Sequence, residues 1–398
     1  MIYKVEQEFI EAYFKSLDVN NSLLNDLEFN PKKAEKKIKN PKIEDDDKKH
    51  LIIGSATDCL LTQPEEEFNN QFIVVQGKRP TGLTNIFINN LPLDITPDSP
   101  VDHYQKAYNE AGYRWPIKSA IDILWKSSDY KAWYMARKSA AGRTLISKEE
   151  YDAVMYASKC LFSNPFTREF FLSAGTDENI DIIYQAPIYF NITVTVGDKE
   201  YTRRCKALPD IIVKDKLRKK IFLYDLKTIG KSLTQFESSF VNFGYFRQAA
   251  FYKKGMESFL HYTNWKKDSF NRINPQDSYI ISPTHPLNEL FKDCIGWEVS
   301  NLEFIVAETD TKFQHEARIF TTTDNDYYVG MNGGESEKYS SKVSGIYTLM
   351  EHLIWHEETD YWSMPKDIYL NRGRQVLDSF KHDQIKPIHT SDSGFNLQ

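Results

Sequence analysis

The sequence predicts an α/β protein in which a mixed central sheet is flanked by helices and carries helical insertions. Three observations predict it. Helical periodicity dominates the chain up to about residue 160. Short strand-like runs then crowd residues 181–226, and a long helical pattern with further strand candidates follows. At 398 residues, 41% hydrophobic and 14% aromatic, the chain holds enough apolar surface for a sizeable core and is not a disordered polymer.

Taken in order, residues 1–30 read as a helical lead-in, with Leu23, Leu24 and Leu27 on one face and a stop at Asn30-Pro31. Residues 31–50 are charged and nearly free of apolar side chains, so they read as a mobile connector or exposed loop. Residues 50–61, HLIIGSATDCLL, suit a tightly packed buried helix. Gly, Pro and Asn make 76–100 look like loop, and 101–139 is helical by pattern. Ser147 and Glu150 form a capping box that opens a helix through Tyr151, Val154, Met155 and Cys160.

The period then changes from helical to extended. Residues 181–190, 192–196, 207–213 and 221–226 read as strands, separated by Gly197-Asp198 and by the charged stretch 214–220. A helix is expected over about 234–262, strands at 278–282 and 303–307, and a helix over 339–357. The sequence divides into a lead-in and connector (1–49), a core (50–310) with a helical insertion around 76–160, a C-terminal α/β extension (311–383) and a flexible tail (384–398).

Composition excludes several classes. The net charge is −6, so any nucleic-acid binding must use a local patch. The cysteines, Cys59, Cys160, Cys205 and Cys294, stand far apart without a C-x-x-C pair, against a zinc ribbon or a disulfide scaffold. A reducing, cytoplasmic setting is expected, with no signal peptide and no membrane span.

The residues that can do chemistry lie in the strand block. Asp210 follows Pro209 at the turn into one strand, and Asp225 and Lys227 stand two apart on the next, on one face. Fourteen residues separate the aspartates, enough for a hairpin that brings both carboxylates and the lysine together. Alone, D-x-K is a common tripeptide that reads as a surface salt bridge. Asp225, however, follows the apolar Ile221-Phe222-Leu223-Tyr224, and a charge ending a buried strand must be paired or metal-bound. Two carboxylates beside a lysine suit Mg²⁺-assisted phosphodiester chemistry. Residues 201–231 also hold ten Lys/Arg against three Asp, as a phosphate-facing groove would. Arg203, Arg204, Lys206, Lys216, Arg218, Lys219 and Lys220 carry that excess, with Lys231 and Arg247 nearby; a solvated hairpin tip is the alternative for 214–220. His352 and His356 have zinc-pair spacing but lack a third ligand, and read as a solvated helix face.

Pro209-Asp210, Asp225-Leu226-Lys227 and Gln248-x-x-x-Tyr252 together resemble the PD-(D/E)XK nucleases of the RecB type. Gly54 to Asp58 is similar to that family's G-x-x-x-H helix, with Asp58 at the histidine position. Gln63-Pro64-Glu65 with Phe68, Arg143 to Glu150, and Phe304 to Glu308 resemble the RecE-like exodeoxyribonuclease VIII branch. The resemblance implies a restriction-endonuclease-like core. It implies Mg²⁺, replaceable by Mn²⁺, held by Asp58, Asp210, Asp225 and the Leu226 carbonyl. Lys227 would position the attacking water, and Gln248 and Tyr252 would support the site. It further implies an exonuclease on linear double-stranded DNA ends that leaves 3′ overhangs for recombination or phage replication. A single-strand annealing recombinase is an implied partner, and a homo-oligomer the implied assembly. An endonuclease or helicase-associated nuclease, or an inactive DNA-binding subunit, are the alternatives, and an aspartate at position 58 bears on the last.

Overall fold

Apolar residues that alternate along the middle of the chain build the centre of the molecule. The computed structural model describes residues 1–40, 49–63, 65–172, 177–265, 286–294, 296–336 and 341–374. Six strands form a mixed sheet in the order Ile2–Lys4, Ile180–Tyr184, Ile211–Asp215, Lys220–Ile229, Glu298–Glu308, Arg318–Thr321. Strand Lys220–Ile229 runs antiparallel to Ile211–Asp215 and parallel to Glu298–Glu308. The sheet therefore draws strands from both sides of the expected 50–310 boundary.

Period-two alternation splits the core across the sheet. Ile183, Ile212, Ile221, Leu223 and Phe304 face one side, against Phe236 and the helix Tyr245–Trp265. Ile182, Tyr184, Ile211, Tyr224 and Ile305 face the other, against Ala157 and Leu161 of the helix Lys148–Ser163. That helix opens on the expected capping box, with the Ser147 and Glu150 side chains each meeting the other's backbone N–H. A separate hairpin, Ile188–Val196 with Lys199–Ala207, packs on Tyr245–Trp265. Gly255 permits that approach, because a Cβ there would meet the Phe190 ring at 2.8 Å. Residues 82–138 form a helical insertion with its own core, centred on Phe87, Ile88, Tyr104, Leu124 and Trp133.

Several elements differ from expectation. Pro31–Lys39 is a helix, not a connector. Asn30 caps it by accepting from Lys33 N–H, Pro31 fills its first turn, and Pro31 and Ala34 are buried. Residues 41–48 lie outside the described residues. Gly82–Asn90 is a helix in the segment expected as loop, because Phe87 and Ile88 insert into the insertion's core. The run 181–190 is two strands, broken at Gln185, whose φ is +50°. The helix expected over 234–262 breaks at Phe243-Gly244, where Gly244 has φ +66°. The helix expected from residue 339 begins at Ile346, after short strands Gly334–Ser336 and Ser341–Val343. The expected strand 278–282 and the tail from 384 lie outside the described residues. Among the described residues no helix is long and apolar enough to cross a membrane.

Candidate functional site

The strand pairing brings the predicted acids together. Ile211 pairs with Tyr224 in an antiparallel register, so one step further sets Asp210 opposite Asp225. Asp210 accepts a hydrogen bond from the Leu226 N–H at 2.7 Å. The N–H and C=O of one strand residue leave by the same edge, so the Leu226 carbonyl also faces Asp210. Asp225 is 2% exposed; its Oδ1 accepts from Gln248 Nε2 at 2.7 Å and its Oδ2 is ion-paired with Lys227. Both strand residues point to the face covered by the helix Tyr245–Trp265. Tyr245, Gln248 and Tyr252 lie along one side of that helix, at i, i+3 and i+7. The Lys227 ammonium rests 5.0 Å from the Tyr245 ring and 5.9 Å from the Phe304 ring.

The helix Lys49–Thr62 supplies the third acid. Gly54 lies against the strand, with Thr228 Oγ1 3.7 Å from where its Cβ would be, and Asp58 follows one turn later. Asp58 Oδ2 accepts from Gln185 Nε2, while Asp58 Oδ1 is buried without a hydrogen-bond partner. Gln185 also donates its backbone N–H to the Asp210 carbonyl at 3.0 Å, so one turn residue ties two acids together. Sequence reasoning missed Gln185 and Tyr245. The signal for Gln185 was one polar side chain next to Ala186-Pro187 in an apolar run.

Burial and crowding dominate the electrostatics. Burial pushes Asp58 up to about 7, with the Asp225 charge adding and the Gln185 hydrogen bond opposing. Asp210 is raised well above the carboxylate range by burial, then by Asp225 and Asp58, against Lys227 and the Leu226 N–H. Asp225 is raised by burial, although Lys227 and Gln248 pull it down. Burial alone would lower Lys227; the negative charge of Asp225, with Tyr245 and Asp210 adding, instead raises it. Lys227 is therefore an ammonium at neutral pH. Tyr252 is raised by burial and by Asp225, so it is a neutral phenol bonded to Gln248.

The donor set is hard oxygen, the type that suits Mg²⁺ or Mn²⁺. The unpartnered Asp58 Oδ1 fits a cation, since a buried carboxylate oxygen without a partner is costly. Among the described residues no three His, Cys, Asp or Glu side chains are grouped closely enough to hold an ion as they stand. Both oxygens of Asp225 are committed, to Gln248 and to Lys227, and one of Asp58 to Gln185.

The predicted basic residues do not gather here. Lys206 is buried, donating to the Tyr13 and Ser16 carbonyls at 2.6 and 2.8 Å, and burial lowers it to about 8. Arg247 is 2% exposed, and its guanidinium bonds Asn25, Glu28 and the Ser344 carbonyl. Both are internal and present nothing to DNA, contrary to expectation. Arg203 pairs with Glu357 and Arg204 with Asp18. Lys216, Arg218, Lys219 and Lys220 occupy the tip of the hairpin, five or more residues from Asp225. At ~3.3 Å per residue that is about 17 Å along the strand, away from the acids. Lys216 pairs there with Asp181 and Lys220 with Glu298. Lys231 is exposed beyond the strand's other end. His356 is buried rather than solvated, stacked on Trp362 and bonded through Nδ1 to the Tyr361 carbonyl. Glu308 is fully buried, accepting from Leu233 N–H and from His315 N–H and Nδ1.

Comparison with known protein families and with curated proteins finds no match to this sequence.

Proposed function

We propose that this chain is a metal-dependent deoxyribonuclease that hydrolyses phosphodiester bonds of linear double-stranded DNA from its ends, leaving 3′ overhangs. One observation carries the reading. Asp225 is buried and Asp58 and Asp210 are half-buried, within reach of one another's charge, with the Lys227 ammonium beside them. Three acids crowded against one ammonium must keep protons or meet a further cation, and a hard dication would take the protons' place. Asp58, Asp210, Asp225 and the Leu226 carbonyl would hold Mg²⁺ or Mn²⁺. A bound dication lowers the pKa of water and offsets charge on the phosphate.

The chain's own groups divide the remaining work. Lys227 is a fixed ammonium, so it donates to a phosphate oxygen or the attacking water and does not serve as a base. Gln248 sets the Asp225 carboxylate at 2.7 Å, and the neutral Tyr252 hydroxyl sets Gln248 in turn. Asp58, titrating near 7, can give up a proton as a cation arrives.

The test is digestion of end-labelled linear and closed circular duplex, with and without Mg²⁺ or Mn²⁺. Linear DNA should shorten only with metal, and Asp225→Asn should abolish the loss. Cutting of the circle would make the chain an endonuclease. Salt-dependent binding with linear DNA intact in both metals would make it an inactive DNA-binding subunit.

A further inference from the structure

The break at Phe243-Gly244 is built at some cost, and what it presents is an exposed aromatic ring. Helix Phe236–Asn242 stops there and Tyr245–Trp265 starts directly after it. Gly244 has φ +66°, and a Cβ on it would meet Arg247 Nη2 at 2.8 Å and Asn25 Oδ1 at 3.1 Å. Only glycine fits this corner. Beneath it the buried Arg247 guanidinium binds Asn25, Glu28 and the Ser344 carbonyl, and Asn25 Nδ2 in turn donates to the Phe243 carbonyl at 3.4 Å. A buried arginine with this many partners fixes the backbone of the corner.

The side chain on that fixed backbone is left in solvent. Phe243 is 57% exposed, while most aromatic rings in this half of the chain are buried or half-buried. It stands beside the candidate site. Its ring is 5.8 Å from that of Tyr245, tilted by 45°, and the Tyr245 ring, which also meets Phe236 and Phe304, lies 5.0 Å from the Lys227 ammonium. Phe243, Tyr245 and Lys227 thus form a step from open solvent to the buried charges. An exposed ring on a rigid corner offers a π-face to an unstacked nucleobase, a contact tolerant of sequence. A base inside an intact duplex is already stacked on both faces, and a paired terminal base has only its outer face free, whereas an unpaired base can turn either face to the ring.

We propose that Phe243 is a substrate-binding residue that stacks on an unpaired nucleobase next to the phosphodiester held at Lys227, so that the site takes frayed or single-stranded termini in preference to fully paired ones. This rests on the nuclease reading above. It adds a class of substrate to that reading, DNA whose terminal base has left the helix.

The experiment uses the full chain, its Phe243→Ala and Phe243→Trp variants, and two end-labelled duplexes of one sequence, one blunt and one with splayed, unpaired ends. Cleavage is measured with Mg²⁺. In EDTA, binding is read from the fluorescence of 2-aminopurine at the unpaired terminal position. Wild type should cleave splayed ends faster than blunt ones and quench the probe. Phe243→Ala should raise KM on splayed ends about tenfold or more and lose the quench, while Phe243→Trp restores both. Unchanged thermal unfolding of Phe243→Ala, expected for an exposed side chain, keeps the comparison fair. Normal cleavage and quench by Phe243→Ala would overturn the stacking role and leave the nuclease reading standing. A wild type that cleaves neither DNA and does not quench the probe would overturn both.

Discussion

Replacing Asp58 by asparagine should stabilise the metal-free protein, and more so as pH rises. In the folded chain burial and the Asp225 charge lift this carboxyl from 3.8 to about 7. Between those values the folded state binds more protons than the unfolded state, so stability falls as pH rises through the window and levels off above the folded value. At about 1.36 kcal/mol per unit, the cost is roughly 1–2 kcal/mol at pH 5 and about 4 kcal/mol at pH 8.5. Asparagine carries no such cost, so its advantage over wild type should grow by about 3 kcal/mol across that range. Any fixed effect of the amide on the Gln185 contact cancels in the difference. With about 2.1 cal/mol/K of unfolding entropy per residue, a chain of 398 residues unfolds with about 0.8 kcal/mol/K. The expected growth in Tm advantage is then about 3–4 °C, read by calorimetry in EDTA at pH 5 and 8.5. An advantage that stays constant or shrinks with pH would refute the buried, unpaired state of this carboxylate.

Three further outcomes follow from the geometry. On the proposed nuclease reading, Lys227→Ala should reduce Mg²⁺-dependent cleavage about 100-fold or more while DNA affinity in a filter-binding assay stays within about twofold, because the ammonium would act on charge that develops in the transition state. Arg247→Ala should lower stability by about 3 kcal/mol, seen as a drop of several degrees in Tm, because Glu28 and the Ser344 carbonyl lose a buried partner. Charge reversal at Arg218 and Lys219 should leave kcat/KM on a short duplex unchanged, because the hairpin tip lies about 17 Å along the strand from Asp225.

The acids were legible because their placement depends on local periods. Asp225 and Lys227 share a face by strand alternation, Asp210 meets them across one hairpin, and Gln248 and Tyr252 share a helix face. The helix Pro31–Lys39 carried a readable signal too. Pro31, Ala34 and Ile38 stand at i, i+3 and i+7, hidden among lysines. The roles of Lys206 and Arg247 were not legible. A basic side chain looks alike in sequence whether solvated or buried, and what buries Arg247 is Asn25 and Glu28, more than 200 residues away. Gln185 was obscured because a left-handed turn needs no glycine when neighbouring strands and hydrogen bonds enforce it.

The edge of the main sheet bears on how the molecule is made. Ile2–Lys4 pairs in parallel with Ile182–Tyr184, so this strand has no place in the sheet until some 180 residues later. At about 5–20 residues per second that is a wait of roughly 10–40 s on the ribosome. The segment that follows it carries Tyr13, whose carbonyl receives Lys206. Asp225 in turn waits a further 79 residues for Phe304, its neighbour on the parallel strand. Closure of such distant ends is entropically late. Asp210 and Asp225 meet across one local hairpin, but Asp58 is made more than 150 residues before them, so the third acid of the cluster waits for its partners.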